Sequence, residues 1–311
     1  MRTKRLGRDG PEISVVGFGA WEAGGSGWGE APPDDQVIKA MRTAIESGIT
    51  WIDTAEVYGD GKSEELVGRA LEPFKDALVF TKVAADNAGT GLKPEQVRAA
   101  AEKSLKRLQR DVIDVFQIHW PDDSVPLEET WGAMAQLVDD GLVRWIGVSN
   151  FNQELIERCE AIRHVDSLQN QFSMLRNKGR DDLFPFCEKN GTGIVCYGPL
   201  AYGLLTGAIT TETEFDDDDW RSGKGGLDHY YQPLFAPGAL EENLAKVDAL
   251  RPIADRLGVT LPQLALAWVV HQSGVTGPIA GSRSPDHVAE NAKAGSIELE
   301  LKDLEEIDSI L

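Results

Sequence analysis

The sequence alternates between short apolar runs typical of β-strands and longer segments with the period of an amphipathic helix. The alternation repeats eight times with short connections, which predicts a parallel sheet. Eight units in a chain of 311 residues suit a closed (β/α)8 TIM barrel better than an open doubly wound sheet. The predicted strands are residues 15–18, 50–53, 77–82, 112–119, 143–149, 167–172, 193–197 and 275–280.

Segments outside the eight units add to the predicted barrel without changing its order. Residues 3–6 and 12–14 flank a glycine-bounded turn, which predicts an N-terminal β-hairpin. Extra helices are predicted before the last strand and at the end of the chain, and residues 208–238 contain the one long insertion. Because the composition does not shift anywhere along the chain, we expect residues 1–311 to form a single barrel domain.

The charge balance excludes several classes of partner. The chain has 31 Lys and Arg against 51 Asp and Glu, a net charge of −20, whereas nucleic-acid binding needs a basic face and anionic lipid repels acidic proteins. No apolar stretch approaches the ~20 residues of a membrane span, and no apolar block follows the basic N-terminus as in a signal peptide. The three cysteines are few and far apart, which predicts buried free thiols. We therefore expect a soluble cytoplasmic protein that binds neither nucleic acid nor a membrane.

Polar side chains gather at the predicted carboxyl ends of the strands, where barrel enzymes carry out their chemistry. Asp53 ends the second strand, Lys82 ends the third and His119 ends the fourth. Tyr58 lies in the loop just after the second strand. Burying such groups without partners would cost several kcal/mol each, so their convergence at one barrel mouth indicates a functional site.

One reaction uses all four side chains. A carbonyl reduced by hydride develops alkoxide charge and needs a proton, which the Tyr58 hydroxyl can donate although the free pKa of a phenol is ~10. The Lys82 ammonium would lower that pKa, and Asp53 would hold Lys82 charged and oriented. His119 would hydrogen-bond the carbonyl oxygen. The pattern therefore predicts reduction of a carbonyl by a hydride donor.

Six segments of the chain match those of a known family in order and spacing. They are WIDTAEVYG (51–59), TKV (81–83), QIHWPD (117–122), GVSNF (147–151), YGPLAYGLLTG (197–207) and GSRSPDHVAEN (281–291). From residue 17 to about residue 294, the chain resembles the aldo-keto reductases of bacterial type. The resemblance implies a cytoplasmic enzyme that reduces a small aldehyde or ketone to an alcohol. NADP is the implied cofactor, and NAD is the less favoured one.

The resemblance assigns roles to individual positions. Asp53, Tyr58, Lys82 and His119 correspond to the catalytic tetrad of the family, with Tyr58 as the general acid.

Further positions correspond to the cofactor site of the family. Ser149, Asn150 and Gln169 match the residues that hold the nicotinamide carboxamide, and Tyr197 matches the residue that stacks on the nicotinamide ring. Arg283 and its neighbours match the surroundings of the adenosine 2′-phosphate and the adenine, and a forked guanidinium suits a phosphate. The candidate cofactor-binding residues are Ala20, Trp21, Ser149, Asn150, Gln169, Tyr197, Gly198, Pro199, Leu200, Gly203, Arg221, Gly281, Ser282, Arg283, His287, Glu290 and Asn291.

Three positions depart from the family pattern. His287 stands where relatives often have Arg or Gln, Ala208 where many have Lys, and Gly198 where Ser is common. Two common phosphate-binding side chains are therefore missing, which weakens the preference for NADP over NAD without reversing it. Arg221, in the insertion, is the candidate to replace them, so residues 208–238 are interpreted as a cofactor or substrate loop.

Tryptophan positions suggest the substrate pocket. Trp21, Trp28 and Trp120 follow the first and fourth strands and are predicted to line it, because aromatic side chains commonly wall small-molecule sites. Packing within the protein is the alternative for each of them. Trp220 lies in the insertion, and the sequence does not place it.

Two other functions on the same barrel are alternatives to the reductase. A metal hydrolase on the same barrel is disfavoured because the chain has no His-x-His or Cys-x-x-Cys spacing, so no metal is expected. A cofactor-binding regulatory or channel-associated subunit, with the same fold and little turnover, stays open as the alternative.

Overall fold

Eight parallel β-strands close into a barrel in the computed structural model, which describes residues 1–25, 27–85, 91–224 and 232–311. The strands follow one another in chain order, and the last pairs with both the seventh and the first, which closes the barrel. The predicted (β/α)8 fold and N-terminal hairpin are confirmed. The hairpin strands are β1 (Thr3–Arg5) and β2 (Glu12–Ser14), and the barrel strands are β3 (Gly17–Gly19), β4 (Trp51–Asp53), β5 (Leu78–Val83), β6 (Ile113–Ile118), β7 (Val143–Ser149), β8 (Ser167–Gln171), β9 (Gly193–Tyr197) and β10 (Val275–Ala280).

Helices surround the barrel and present an apolar stripe to it. In the third helix, for example, the buried positions are 97, 100, 101, 104 and 108, which is the spacing of one helical face. A single helix follows each of the first six barrel strands, whereas two helices lie between the last two strands. The helices are α1 (Asp34–Glu46), α2 (Lys62–Ala70), α3 (Pro94–Leu108), α4 (Leu127–Asp139), α5 (Gln153–Glu160), α6 (Leu183–Asn190), α7 (Ala239–Leu257), α8 (Leu261–Val270), α9 (Pro285–Lys293) and α10 (Leu301–Asp308).

The hairpin closes the amino-terminal end of the barrel. Leu6 and Ile13 are fully buried and pack in one cluster with barrel side chains, among them Trp51 at the start of β4. The Trp51 indole donates to the Ser14 carbonyl at 2.9 Å, and the Lys4 ammonium donates to backbone carbonyls at both ends of the α8–β10 connection. Because this end is plugged, the carboxyl end is the one left open for a site.

The described residues of the insertion at 208–238 include two short 3-10 turns, Trp220–Ser222 and Gln232–Leu234. Residues 225–231 of this insertion lie outside the described part of the chain, as do Ser26 and residues 86–90. The predicted role of residues 208–238 as a cofactor or substrate loop therefore has a structural account only for its described residues.

The described residues also bear on the predictions made from composition. All three cysteines are buried free thiols, as expected. In the described ranges, no single helix is long and apolar enough to cross a membrane, although α7 and α8 together, bent by 88°, match one in length and composition.

Candidate active site

A cleft of about 2090 Å³ opens at the carboxyl end of the barrel. Its walls include residues from the ends of β4, β7, β8, β9 and β10 and from the loops that follow them. Every predicted site residue lines this cleft except Ala20 and Lys82. Ala20 is almost fully buried, and its amide donates to the Asp53 carbonyl at 2.8 Å, so the structure gives it a place beneath the wall rather than on it.

A buried ion pair joins two of the predicted catalytic residues. Lys82 is wholly inaccessible, and its Nζ donates to Asp53 Oδ1 at 2.6 Å and to the Thr54 carbonyl at 2.8 Å. Burial lowers the pKa of Lys82 and raises the pKa of Asp53, and the attraction between the two charges opposes both changes. The pair is therefore a fixed polar unit under the floor of the cleft.

Amide side chains continue this unit across the barrel. Gln169 Nε2 donates to Asp53 Oδ2 at 2.8 Å and to Gln117 Oε1 at 3.0 Å. Gln117 Nε2 in turn donates to Ser167 Oγ at 3.0 Å. Gln117 was not predicted as part of the site, although its place near the end of β6, two residues before His119, is a strand-end signal of the kind that identified the others.

The Tyr58 ring stands above the ion pair. The Lys82 Nζ lies 5.2 Å from the ring centroid, and the His119 ring lies 5.6 Å away at an angle of 77°. The turn that carries Tyr58 is fixed by Gly59, which has a φ of 62° and whose Cβ, if present, would lie 2.1 Å from the Gly24 carbonyl oxygen. Only glycine fits this contact, so the local sequence holds the phenol between a cation and an imidazole.

His119 is electrically neutral at physiological pH. Burial, and after it the charge of Lys82, lower its pKa well below 6.5. Its Nδ1 is buried and makes no hydrogen bond to the described part of the chain. A neutral imidazole has one N–H, and with that proton on Nε2 the ring can donate to a ligand in the cleft.

The residues predicted to hold an amide group lie together in the cleft, next to His119 and Asp53. Asn150 adopts a φ of 63°, and its Nδ2 donates to Ser149 Oγ at 3.0 Å. The Tyr197 hydroxyl donates to Asn150 Oδ1 at 2.8 Å, and the backbone N–H of Asn150 donates to the backbone carbonyl of Gln169 at 3.0 Å. A left-handed conformation is uncommon for any residue but glycine, and here it turns the Asn150 side chain toward its neighbours.

The far end of the cleft contains an arginine and the N-terminus of a helix. Arg283 precedes α9, and its Nη1 donates to the Glu30 carbonyl at 2.8 Å. Ser282 and Ser284 cap the turn that leads into α9, so backbone N–H groups and the positive end of the helix dipole face this corner. The cleft thus suits a long ligand that is anionic at one end and carries an amide at the other.

Arg221 lies midway along the cleft and is already paired. Its Nη2 and Nε donate to the two carboxylate oxygens of Asp219 at 2.6 and 2.9 Å, and its Nη1 donates to the Tyr202 carbonyl at 3.1 Å. The guanidinium also lies over the Trp28 and Phe215 rings. Its charge is therefore partly neutralised before any phosphate approaches.

Aromatic side chains form the remaining wall. Trp21 lies 4.9 Å from Trp28 and is stacked at 6.4 Å on Trp220, which is wholly buried and whose amide donates to the Gly27 carbonyl. Trp120 stacks on the His119 ring at 6.4 Å and is 37 % exposed. All three predicted pocket tryptophans line the cleft, with Trp21 and Trp28 in contact and Trp120 packed on His119. Trp220 packs behind Trp21 as a buried residue, a position that the sequence did not give because a loop has no periodicity from which to read packing.

Acidic and histidine side chains do not form a metal centre in the part of the chain that the structure describes. No group of three or more His, Cys, Asp or Glu residues in those ranges has positions suited to holding a metal ion.

A closed barrel whose mouth combines a buried Lys–Asp pair, a tyrosine and a neutral histidine defines a class of barrel oxidoreductase. The sequence model of the Aldo/keto reductase family matches residues 15–311. The chain belongs to the aldo/keto reductase family and is an oxidoreductase.

Individual members of the family are similar to this chain over nearly its whole length. Aldo-keto reductase YhdN of Bacillus subtilis (strain 168) is 35% identical over 310 residues, which cover 97% of this chain and 91% of that protein. The structure of the glycerol dehydrogenase AKR11B4 from Gluconobacter oxydans is similar with a TM-score of 0.88 and 33% identity, covering 99% of this chain and 94% of that one. An aldo/keto reductase from Klebsiella pneumoniae, solved in complex with NADP and acetate, has a TM-score of 0.75 and 30% identity, covering 99% and 95% of the two chains.

Proposed function

We propose that this protein is an NADP-preferring aldo-keto reductase that reduces an aldehyde or ketone to an alcohol, with Tyr58 as the general acid. The observation that carries the proposal is the position of the Tyr58 ring, 5.2 Å from the buried Lys82 ammonium and beside the neutral His119. The proposal takes the whole chain, residues 1–311, as one barrel domain.

The side chains divide the chemistry among them. His119 donates a hydrogen bond from Nε2 to the carbonyl oxygen of the substrate, which orients and polarises it. Tyr58 then transfers its hydroxyl proton to that oxygen as alkoxide charge develops. Lys82 stabilises the phenolate that remains, and Asp53 keeps the ammonium in place. NADPH, when bound, supplies the hydride.

The same cleft holds the cofactor in this proposal. Ser149, Asn150 and Gln169 orient the carboxamide of the nicotinamide, and Tyr197 stacks on its ring. Arg283 and the N-terminus of α9 bind the 2′-phosphate of the adenosine. This assignment of the cofactor rests on the hydrogen-bond donors that these residues and the helix N-terminus present to the cleft. The NADP complex of the Klebsiella relative supports the choice of dinucleotide. Trp21, Trp28 and Trp120 border the substrate.

A panel of aldehydes and ketones, assayed with NADPH and with NADH, tests the function. We expect turnover with at least one class of carbonyl and a higher kcat/KM with NADPH than with NADH. The alternative, a regulatory or channel-associated subunit, predicts tight cofactor binding with negligible turnover across the whole panel. That result would contradict the reductase proposal and favour the regulatory or channel-associated subunit.

The cofactor preference gives a second prediction. Arg283→Ala is expected to weaken NADPH binding by about 1.5–3 kcal/mol, the range for a hydrogen bond to a charged group, and to leave NADH binding nearly unchanged. Dissociation constants from quenching of tryptophan fluorescence measure both. Arg158→Ala, which removes an exposed arginine paired with Glu128 on the outer surface, is the control for the loss of one positive charge. Equal losses for the two cofactors would show that Arg283 does not contact the 2′-phosphate.

A further inference from the structure

An acidic side chain occupies the anion-binding end of the cleft. Glu22 lies in the 3-10 turn Trp21–Gly24, directly after β3, and is one of the residues that line the cleft. Its Oε2 is 3.6 Å from Arg283 Nε, and its Oε1 is 3.7 Å from the position that a Cβ on Gly281 would occupy. The carboxylate therefore lies over the end of β10, beside the arginine proposed to bind the 2′-phosphate.

Arg283 is oriented toward this carboxylate. Its Nη1 donates to the Glu30 carbonyl at 2.8 Å, and its own carbonyl accepts from Gln36 Nε2 at 3.1 Å. With Nη1 engaged in this way, the Nε of the guanidinium lies 3.6 Å from Glu22 Oε2. The side chains of Glu22 and Arg283 are 26 % and 30 % exposed, so the pair forms part of the cleft wall and a ligand in the cleft can reach it.

Other charges near Glu22 are less able to replace Arg283. Arg221 is engaged by both carboxylate oxygens of Asp219, at distances of 2.6 and 2.9 Å. Burial raises the pKa of Glu22, and Arg283 is foremost among the charges that oppose this rise. Arg283 is thus the main counter-ion of Glu22 in the described part of the chain.

We propose that Glu22 is a specificity-determining residue, which reduces the preference for NADP over NAD because its carboxylate competes with the 2′-phosphate for Arg283. This inference rests on the proposed function. A phosphate monoester brings a charge of about −1.5 to −2 beside the carboxylate, so binding NADP both breaks the Glu22–Arg283 pair and sets like charges together. NAD carries a neutral hydroxyl at that position, which donates a hydrogen bond to the carboxylate instead.

Glu22→Gln tests the proposal because it removes the charge and keeps the size of the side chain. We expect the variant to bind NADP about three- to tenfold more tightly than the wild type, the effect of removing one partly screened like charge. Its affinity for NAD should be unchanged or slightly weaker. Dissociation constants for NADP and NAD are measured by quenching of tryptophan fluorescence, and adenosine 2′-monophosphate and adenosine 5′-monophosphate serve as probes of the phosphate position alone.

Three further variants test whether the change in NADP affinity comes from the Glu22 carboxylate and depends on Arg283. Glu72→Gln changes the net charge by the same amount at an exposed position after α2. The ratio of its affinity for NADP to its affinity for NAD should remain that of the wild type. Glu22→Ala also removes the carboxylate, so it should shift the ratio in the same direction if the glutamine variant folds poorly by its melting temperature. In an Arg283→Ala background, Glu22→Gln should improve NADP binding less than it does in the wild type.

The outcomes separate this proposal from the proposed function. Suppose that every variant binds both cofactors, but removal of the Glu22 carboxylate leaves the affinity for NADP relative to NAD unchanged or lowers it. The role of Glu22 is then overturned and the reductase proposal stands. If the wild type binds neither NADP nor NAD, the proposed function itself fails.

Discussion

Tyr58→Phe is expected to lower kcat by about 10²–10⁴-fold, the usual contribution of a general acid. The substitution removes the hydroxyl and keeps the ring, so the packing beside His119 and Lys82 is retained. The proposed cofactor contacts do not involve Tyr58. The affinity for NADPH should therefore stay near that of the wild type.

Three measurements on one preparation of the variant distinguish catalysis from packing. If Tyr58 only packs, Tyr58→Phe lowers the melting temperature while the activity of each folded molecule survives. If it is the general acid, kcat falls while the melting temperature and cofactor affinity hold. Tyr202→Phe is the matched control, because it removes a hydroxyl that accepts from Gln171 on the aromatic side of the cleft. That variant should keep most of the wild-type kcat. A near-normal kcat for folded, NADPH-binding Tyr58→Phe would contradict the mechanism.

Much of the barrel could be predicted because apolar runs end sharply at turn residues. The bounds of β7, β9 and β10 are those predicted, and each run has a glycine within two residues before it and a glycine or an asparagine directly after it. β3 begins at Gly17 rather than at residue 15, because Val15 and Val16 are apolar but belong to the buried link from the hairpin. Packing at this link decided what the apolar pattern alone did not.

The candidate site was predictable to the extent that it depends on strand ends. Parallel strands in a barrel share one open end, so Asp53, Lys82 and His119 had to converge once their strands were placed. Glu22 and Trp220 were not identified, because their positions depend on how two loops pack against each other. Trp220, for example, is held by a hydrogen bond from its amide to the Gly27 carbonyl, a contact between distant loops that no local pattern records.

Lys82 gives the second prediction of large effect. Its ammonium is fully buried between Asp53 Oδ1, the Thr54 carbonyl and the Tyr58 ring. Lys82→Met should lower the free energy of unfolding by about 3–5 kcal/mol, because it leaves the Asp53 carboxylate buried without its counter-ion. It should also lower kcat by about 10²-fold or more, because the phenolate that Tyr58 becomes on giving up its proton loses the ammonium beside its ring.

A paired variant separates these two effects. Asp53→Asn combined with Lys82→Met removes both charges, so urea unfolding should show most of the lost stability restored while kcat stays low. Tyr58→Phe with Lys82→Met should be scarcely slower than the slower single variant, because the two residues act as one unit. Independent, multiplying losses in kcat would show that Lys82 does not act through Tyr58.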